Sequence, residues 1–148
     1  MIRTVMPSDI PQLVELAKVM HAEGRYKNKK FDAEKLKKRF LYLMLGNFLG
    51  FADEKENKIV GVILGCVTDY FFGDDLMLED CGFFVLPEYR KGKSGSKLLA
   101  AFISAGKQIK VKEISLSTSS LKDPNALDFL CKKVGLEKAG SIYKMEIA

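Results

Sequence analysis

Apolar residues recur along the chain with two different spacings, and the spacing changes from one segment to the next. Residues 8–24 and 31–45 place apolar side chains on one helical face, which predicts two amphipathic helices. Residues 47–67 carry two apolar runs around a polar turn and predict a β-hairpin, and residues 76–86 predict a further strand. The helical spacing returns over 96–109 and 123–135, and short strands are predicted at 2–6, 113–119 and 141–147.

The predicted elements follow one another in the order β-α-α-β-β-β-α-β-α-β. Consecutive strands in the middle favour antiparallel pairing, and the later strand–helix–strand units favour a parallel part. We therefore expect an α/β chain of the α+β type, with a mixed, mostly antiparallel central sheet and helices on both faces. A single domain over residues 1–148 suits this length. A ligand can enter such a sheet where central strands stop pairing.

Several element ends carry residues that typically start or stop a helix. The predicted N-caps are Ser8 or Asp9 for the first helix, Asp32 for the second and Asp123 for the last. Pro124 suits the first position of that last helix, and Gly135 suits its C-terminal stop. Gly82 lies inside the strand at 76–86, where a glycine often marks a β-bulge.

The composition is that of an ordinary globular protein, with 47% hydrophobic and 29% charged residues. The longest apolar run, residues 59–67, is too short to span a membrane, and the N-terminus has no signal-peptide core. Three widely spaced cysteines, at 66, 81 and 131, indicate free thiols in a reducing compartment, so we expect a cytoplasmic protein. The single histidine excludes a multi-histidine metal site, and we expect no metal.

The net charge of +5 favours an anionic ligand, which includes a phosphorylated cofactor, a nucleic acid and a membrane surface. Charge does not choose among these. Much of the lysine lies on helix-like faces that are typical of solvated surfaces, and the chain has neither RNA-binding aromatic motifs nor a helix-turn-helix. A nucleic acid is therefore an unfavoured partner, and we expect no membrane partner.

The basic stretch "PEYRKGKSGSKLL", residues 87–99, lies between a predicted strand and a predicted helix. Its Gly92-Lys93-Ser94 triplet matches the end of a nucleotide-binding P-loop. That motif also needs a glycine five residues earlier, where this chain has Pro87, and proline fixes φ and has no N–H. We therefore disfavour an NTPase. A strand, a basic turn and a helix start remain and favour an anion site, with a solvent-exposed turn that only caps the helix as the alternative.

Two segments, together with the element order, resemble a known family. "CGFFVLPEYRKGKSGSKLL" and "LDFLCKKVGLEKAG" look like the GNAT superfamily of acetyl-CoA-dependent N-acetyltransferases, and the resemblance covers nearly the whole chain. "KVMHAEGRYKNKKFD" is similar to the substrate-side region of a small branch common in phage and bacterial genomes. Arg90 and Gly95 match the ends of the family's pyrophosphate signature, whereas Lys93 stands at its middle glycine and Gly92 lies one place early.

The resemblance implies acetyl-CoA as co-substrate and direct transfer of its acetyl group to a primary amine, with no metal. It implies that the backbone of Phe84, Val85 and Leu86 pairs with the pantetheine arm, and that a bulge near Gly82 precedes this strand end. Backbone N–H groups and lysine charges of the following turn would hold the phosphates; the residues implied are Arg90, Lys91, Gly92, Lys93, Ser94, Gly95 and Ser96.

Three residues are candidates for the proton transfers of this reaction. Glu79 or Asp80 would accept the amine proton, with Glu79 preferred, and strand alternation sends the two side chains to opposite faces. The alternative is that both carboxylates meet solvent or a lysine. Cys131 stands where the family usually carries a tyrosine that protonates the departing thiolate. A thiol can also donate a proton, with core packing as the alternative role.

His21, Glu23 and Tyr26 end the first helix, on the side where the family binds its acceptor. A carboxylate at Glu23 suits a cationic acceptor, whereas His21 has the alternative role of a helix-edge residue. The acceptor is expected to be a small-molecule or peptide amine, and polyamine, aminoglycoside, peptide N-terminus and protein lysine all stay open, as does a homodimer. A non-catalytic acyl-CoA-binding module on the same fold is the rival function, favoured by the missing tyrosine.

Overall fold

A computed structural model describes residues 1–123 and 125–148 of the chain. Within these ranges, five strands form one sheet: β1 (Ile2–Thr4), β2 (Phe48–Lys55), β3 (Lys58–Tyr70), β4 (Gly73–Val85) and β5 (Glu113–Ser115). The α-helices are α1 (Ile10–Glu23), α2 (Ala33–Met44), α3 (Ser94–Gln108) and α4 (Asp128–Lys133). Short 3₁₀ turns at Pro7–Asp9 and Pro87–Tyr89 precede α1 and α3.

The strands lie in the order β1-β2-β3-β4-β5. The first four pair antiparallel with their neighbours, and β4 pairs parallel with β5. The mixed, mostly antiparallel sheet expected from the order of apolar segments is therefore confirmed. None of the helices in the described part of the chain has the length and hydrophobicity that a bilayer crossing needs.

The sheet carries a hydrophobic core on each face. One core contains Leu13 and Leu16 of α1, with Phe40 and Met44 of α2 packed against it. The other contains Leu98, Leu99 and Phe102 of α3, with side chains from α4 and its flanks at its edge. Burying a large apolar side chain contributes roughly 1.5–3 kcal/mol, so these two layers hold the sheet between the helices and confirm helices on both faces.

A β-bulge interrupts β4. Leu78 and Phe83 are five positions apart, and regular alternation would send them to opposite faces of the sheet. Both belong to the core against α3, because the pairing with β3 slips by one residue between them: Leu64 lies opposite Gly82, whereas Gly65 lies opposite Asp80. Cys81 is therefore the extra residue, and the bulge expected near Gly82 is confirmed.

The N-terminal ends of two helices follow the predicted capping only in part. Asp32 caps α2, because its carboxylate accepts a hydrogen bond from the Lys35 N–H at 3.0 Å. At α1 the prediction is wrong: Asp9 occupies the N-cap position, but no side chain caps the helix. The Asp9 carboxylate instead accepts the Met6 N–H at 2.8 Å and binds Arg3, because a 3₁₀ turn separates the first strand from the helix.

The last helix is shorter than predicted but ends as expected. Asp123 accepts a hydrogen bond from the Asn125 N–H at 3.0 Å, yet α4 begins only at Asp128, so Asp123 is not its N-cap. Pro124, predicted to open this helix, lies outside the described residues. Gly135 ends the helix in the left-handed region with φ +89°. The Leu136 N–H then reaches the Cys131 carbonyl at 2.9 Å, as in a Schellman motif.

The prediction of a strand at 141–147 is wrong. Residues 137–148 form neither helix nor strand, and the apolar side chains of this segment are exposed: Ile142, Tyr143, Met145 and Ile147. The segment contacts the loop after α1, where Lys144 Nζ donates to the Tyr26 hydroxyl at 2.6 Å. Strand propensity indicated a strand, but a strand also needs a neighbour to take its backbone hydrogen bonds.

Candidate active site

The sheet opens between its two parallel strands. β4 and β5 pair only over Met77–Glu79 with Glu113–Ser115. Beyond that point the Ser117 N–H donates to the Asp80 carboxylate at 2.7 Å. A side chain thus takes the hydrogen bond that would otherwise extend the ladder, so β5 stops at Ser115 and not near residue 119 as predicted. The two strands separate from Asp80 onward, and the opening lies next to the bulge.

The end of β4 directs backbone groups into this opening. The Leu86 N–H donates to the Val60 carbonyl of β3 at 2.9 Å. Because neighbouring residues of an antiparallel strand point their backbone groups to opposite edges, the N–H and carbonyl of Val85 point away from β3. The Val85 carbonyl accepts a hydrogen bond from Arg90 Nε at 2.8 Å. The strand end therefore offers the Val85 N–H to the opening, whereas the Leu86 N–H is used inside the sheet.

A cleft of about 530 Å³ joins this opening to the start of α3. Several of the residues predicted to bind the cofactor line it: Phe84, Val85, Arg90, Gly92, Gly95 and Ser96. The side chains of the other predicted residues, Leu86, Lys91, Lys93 and Ser94, are not part of the lining. The structure thus brings the strand end and the glycines of the basic turn to one cavity.

The opposite wall of the cleft was missed by sequence reasoning. It is formed by the segment before α4 and by α4 itself, and includes Lys122, Phe129 and Lys133. Phe129 and Lys133 are four positions apart and so share a helical face. That spacing could have indicated a second face of α4 that is directed at a ligand. The apolar stripe of α4, which packs on the core, was the stronger pattern and indicated only core packing. The two lysines bring positive charge to the cleft from the side opposite the basic turn.

The start of α3 has backbone N–H groups without an acceptor within the helix, as at helix ends that bind anions. No side chain caps this helix, and its first regular hydrogen bond runs from the Lys97 N–H to the Lys93 carbonyl at 3.0 Å. The first N–H groups of a helix have no acceptor within it, and the helix dipole adds partial positive charge there. A Cβ added at Gly95 would have its nearest neighbours at 3.7 and 3.8 Å. The missing side chain therefore leaves room for one carbon atom beside these N–H groups, in contact with Leu130 and Phe83.

Ser94 anchors the start of α3 to the sheet. Its side chain is buried, and its hydroxyl donates to the Asp53 carboxylate at 2.5 Å. The N-terminal ammonium of Met1 lies 3.0 Å from the same carboxylate. Burial acts to raise the pKa of Asp53, but these two partners and the charge of Lys55 together outweigh it, and the pKa is lowered overall. The Ser94 side chain is thus committed to the fold, and only its backbone can contact a ligand.

Arg90 links the strand end to α1. Besides its bond to the Val85 carbonyl, its guanidinium pairs with the Glu23 carboxylate and lies over the Phe84 ring, 5.0 Å from the centroid. Glu23, predicted on the acceptor side, lines the cleft through this ion pair. The two residues are far apart in sequence, and no local pattern indicated their contact.

The candidate carboxylates lie on opposite faces of β4. Asp80 shares the face of Leu78, toward α3 and α4, whereas Glu79 is exposed on the other face and accepts a hydrogen bond from the Thr68 hydroxyl at 3.3 Å. The pKa of Asp80 is raised from 3.8 to about 6, mainly because burial disfavours the charged form, with a smaller contribution from the Glu79 charge. The Ser117 N–H opposes this rise.

Cys131 lies on the same side of the sheet as Asp80. Burial raises the pKa of its thiol, and the charges of Asp128 and Asp80 raise it further. Asp80 and Cys131 are therefore within electrostatic range of each other. The thiol is half-buried and remains protonated at neutral pH.

The remaining predicted residues lie away from the cleft. The His21 ring packs against Phe31 at 5.3 Å between centroids, and its Nε2 is buried with no hydrogen-bond partner among the described residues. Tyr26 binds Lys144 through its hydroxyl. In residues 1–123 and 125–148, no group of three His, Cys, Asp or Glu side chains is placed to hold a metal ion; that the protein uses no metal stays a prediction.

Comparison with solved structures gives the same fold over nearly the whole chain. A transcriptional regulator from Bacillus halodurans C-125 has a TM-score of 0.79 at 21% identity, with 99% of each chain covered. The aminoglycoside acetyltransferase meta-AAC0020, from an uncultured soil metagenomic sample, has a TM-score of 0.73 at 23% identity, covering 99% of this chain and 96% of that one. AAC(6')-Iy in complex with a bisubstrate analog, CoA-S-monomethyl-acetylneamine, has a TM-score of 0.78 at 16% identity, with 100% and 97% covered.

At these identities the solved structures establish the fold alone. A search of curated proteins gave no match. A family model, described as the acetyltransferase (GNAT) family, matches residues 15–136. The resemblance stated from "CGFFVLPEYRKGKSGSKLL" is thereby confirmed. Because this match covers well over half of the chain, the protein belongs to the GNAT acetyltransferase family.

Proposed function

We propose that the protein is an N-acetyltransferase that moves the acetyl group of acetyl-CoA to a primary amine, by direct attack through a tetrahedral intermediate. The observation that carries this proposal is the opening between β4 and β5, with the Val85 N–H at its edge and the uncapped start of α3 beside it. Family membership supports it, as does the neighbour that was solved with a CoA bisubstrate analog.

The cleft suits acetyl-CoA at both ends. The N–H groups at the start of α3 would hold the pyrophosphate, and Lys91 and Lys93 would add charge near the 3′-phosphate. Lys122 and Lys133 would add charge from the opposite wall. The apolar wall at Phe83 and Phe84 suits the pantetheine arm, whose amides would bond to the free edge of β4. A volume of about 530 Å³ is ordinary for a small-molecule site.

We assign acceptance of the amine proton to Asp80 in preference to Glu79. A general base works best when its pKa lies near the working pH, and the pKa of Asp80 is raised to about 6. Asp80 also shares the face of β4 that leads to the cleft, whereas Glu79 faces the other side. The Val85 N–H would polarise the thioester carbonyl, and the Cys131 thiol, protonated at neutral pH, would donate to the departing thiolate.

Two glycines give a matched test of the cofactor site. Gly95 lines the cleft, and an added Cβ there would lie in ordinary contact with Leu130 and Phe83, at 3.7 and 3.8 Å, so we expect Gly95→Val to fold. Gly140 lies outside the cleft, with nothing within 4 Å of an added Cβ. In isothermal titration, acetyl-CoA should bind the parent and Gly140→Val alike and should not bind Gly95→Val. Equal binding by a folded Gly95→Val would refute the site.

An amine panel separates the enzyme from the rival module. Polyamines, aminoglycosides, peptides with a free N-terminus and lysine peptides should each be incubated with acetyl-CoA, and release of the CoA thiol should be measured. Release with at least one amine supports the transferase. Tight acetyl-CoA binding without release across the panel would favour the non-catalytic module, which the cysteine at position 131 also favours. A homodimer, a single domain and a cytoplasmic location stay proposals.

A further inference from the structure

Two cysteines meet on the face of the sheet that the proposed reaction does not use. Cys66 of β3 and Cys81 of β4 have their Sγ atoms 3.2 Å apart, although 15 positions separate them in the chain. Cys66 lies opposite Glu79, and Cys81, two positions further along β4, points to the same face. Cys81 is the extra residue of the bulge. The hairpin therefore holds both thiols side by side at the bulge, where the alternation of side chains along β4 shifts by one residue.

Both thiols can be reached from solvent. Cys81 is exposed and Cys66 is half-buried. Cys131 belongs to α4, whose Leu130 packs on the core against α3, on the other side of the sheet. The sheet thus separates the pair from the third thiol, and Cys81 is the exposed one of the three thiols.

We propose that Cys66 and Cys81 form a reversible disulfide with each other, by exchange with a low-molecular-weight disulfide such as oxidised glutathione. The bond between Cys66 and Cys81 would fix the bulge of β4. Bond formation needs the two sulfurs to approach from 3.2 Å to about 2.05 Å. That movement is small because both residues already lie on adjacent strands with their side chains on one face. The bond would close the β3–β4 hairpin at its irregular point.

The reaction proceeds in two exchanges that balance. A Cys66 thiolate attacks one sulfur of the oxidised glutathione, which forms a mixed disulfide and releases one glutathione thiolate. The Cys81 sulfur then attacks the Cys66 sulfur of that mixed disulfide and releases the second glutathione. Two electrons pass from the protein thiols to glutathione disulfide, and the two thiol protons end on the two released glutathiones.

The order of attack follows from the surroundings of Cys81. Desolvation around its sulfur, together with the Cys66 thiol, raises the pKa of Cys81 to about 12. Cys81 is therefore a poor first nucleophile, and Cys66 takes the first step. Once Cys66 is in the mixed disulfide, its thiol no longer acts on Cys81, so one cause of the raised pKa is gone when Cys81 must react.

The chain offers a matched control in its third cysteine. Full-length parent, Cys131→Ser, Cys66→Ser and Cys81→Ser should be equilibrated with reduced and oxidised glutathione at pH 8, quenched with a thiol-alkylating reagent and digested. In the parent and in Cys131→Ser we expect loss of two hydrogens in mass, a peptide pair linked through Cys66 and Cys81, and a higher Tm. All three should revert with dithiothreitol. Cys81→Ser should stop at a glutathione adduct on Cys66.

Three results would overturn the proposal. The first is a parent protein that keeps both thiols free in the most oxidising buffer. The second is a linked peptide that contains Cys131, and the third is a covalent dimer on a non-reducing gel in place of the internal bond. Peptide mapping of the parent alone decides between these outcomes, so the test does not depend on any variant folding.

Discussion

Replacing Asp80 with asparagine should make the protein more stable at neutral pH and less active. The carboxyl of Asp80 has its pKa raised from 3.8 to about 6 in the fold. A difference of one in pKa corresponds to about 1.4 kcal/mol, so the ionised carboxylate costs the folded state about 3 kcal/mol. Asparagine removes the charge and keeps an oxygen that can accept the Ser117 N–H.

The sign of the pH dependence follows from proton binding. Between pH 3.8 and about 6 the folded protein holds the Asp80 proton more tightly than the unfolded chain does, so the stability of the parent falls as pH rises through this window. The neutral asparagine is insensitive to this change. The free energy of unfolding of Asp80→Asn should therefore exceed that of the parent by about 3 kcal/mol at pH 7.5 and by about 1 kcal/mol at pH 4.5.

Urea unfolding of both proteins at the two pH values measures this difference. Glu79→Gln is the control: Glu79 is the neighbouring carboxylate but is exposed, and exposed substitutions usually change stability by less than about 0.5 kcal/mol. A lower stability of Asp80→Asn at both pH values would refute the reasoning. It would mean that the hydrogen bond from Ser117 holds the carboxylate in its ionised form more strongly than burial opposes it.

Three other predictions concern the pH optimum, the basic turn and the anchor of α3. With Asp80 as the base, kcat/KM should fall about tenfold per pH unit below about pH 6, and a pH–rate profile of Asp80→Asn should lack this limb. Lys93→Ala should weaken acetyl-CoA binding by about 1 kcal/mol in isothermal titration, and the loss should shrink as salt rises. Ser94→Ala leaves the buried Asp53 short of a partner and should cost about 1–3 kcal/mol in urea unfolding. Ser96→Ala should cost much less, because Ser96 is only half-buried.

Features set by neighbouring residues could be predicted from the sequence. Asp32 is predicted as a cap because its partner, the Lys35 N–H, is three positions away. Gly135 is predicted as a helix end because glycine adopts a positive φ without strain. The order of elements up to α4 follows from hydrophobic spacing alone, and the proposal of an anion site at the start of α3 follows from the basic turn and the helix behind it.

Features that depend on distant residues could not be predicted. Asp80 receives its hydrogen bond from Ser117, 37 positions away. This contact ends β5, and no sequence pattern near either residue indicates it. Arg90 reaches Glu23 across 67 positions, so Glu23, predicted on the acceptor side, also pairs with the turn that is proposed to hold the cofactor. The choice between Glu79 and Asp80 likewise depends on burial, which the sequence does not specify for two adjacent carboxylates.

The bulge gives β4 one residue more than β3 over the same stretch of pairing. Asp80 and Phe83 share a face although three positions separate them, because Cys81 is the extra residue between them. Deleting Cys81 would place Asp80 and Phe83 two positions apart, so regular alternation would keep both on the face toward α3. The pairing of Val85 with Gly61 would also be kept, and only the local bend and twist of the bulge would be lost. The extra residue therefore shapes the strand beside the opening to β5 and does not decide which side chains face the cleft.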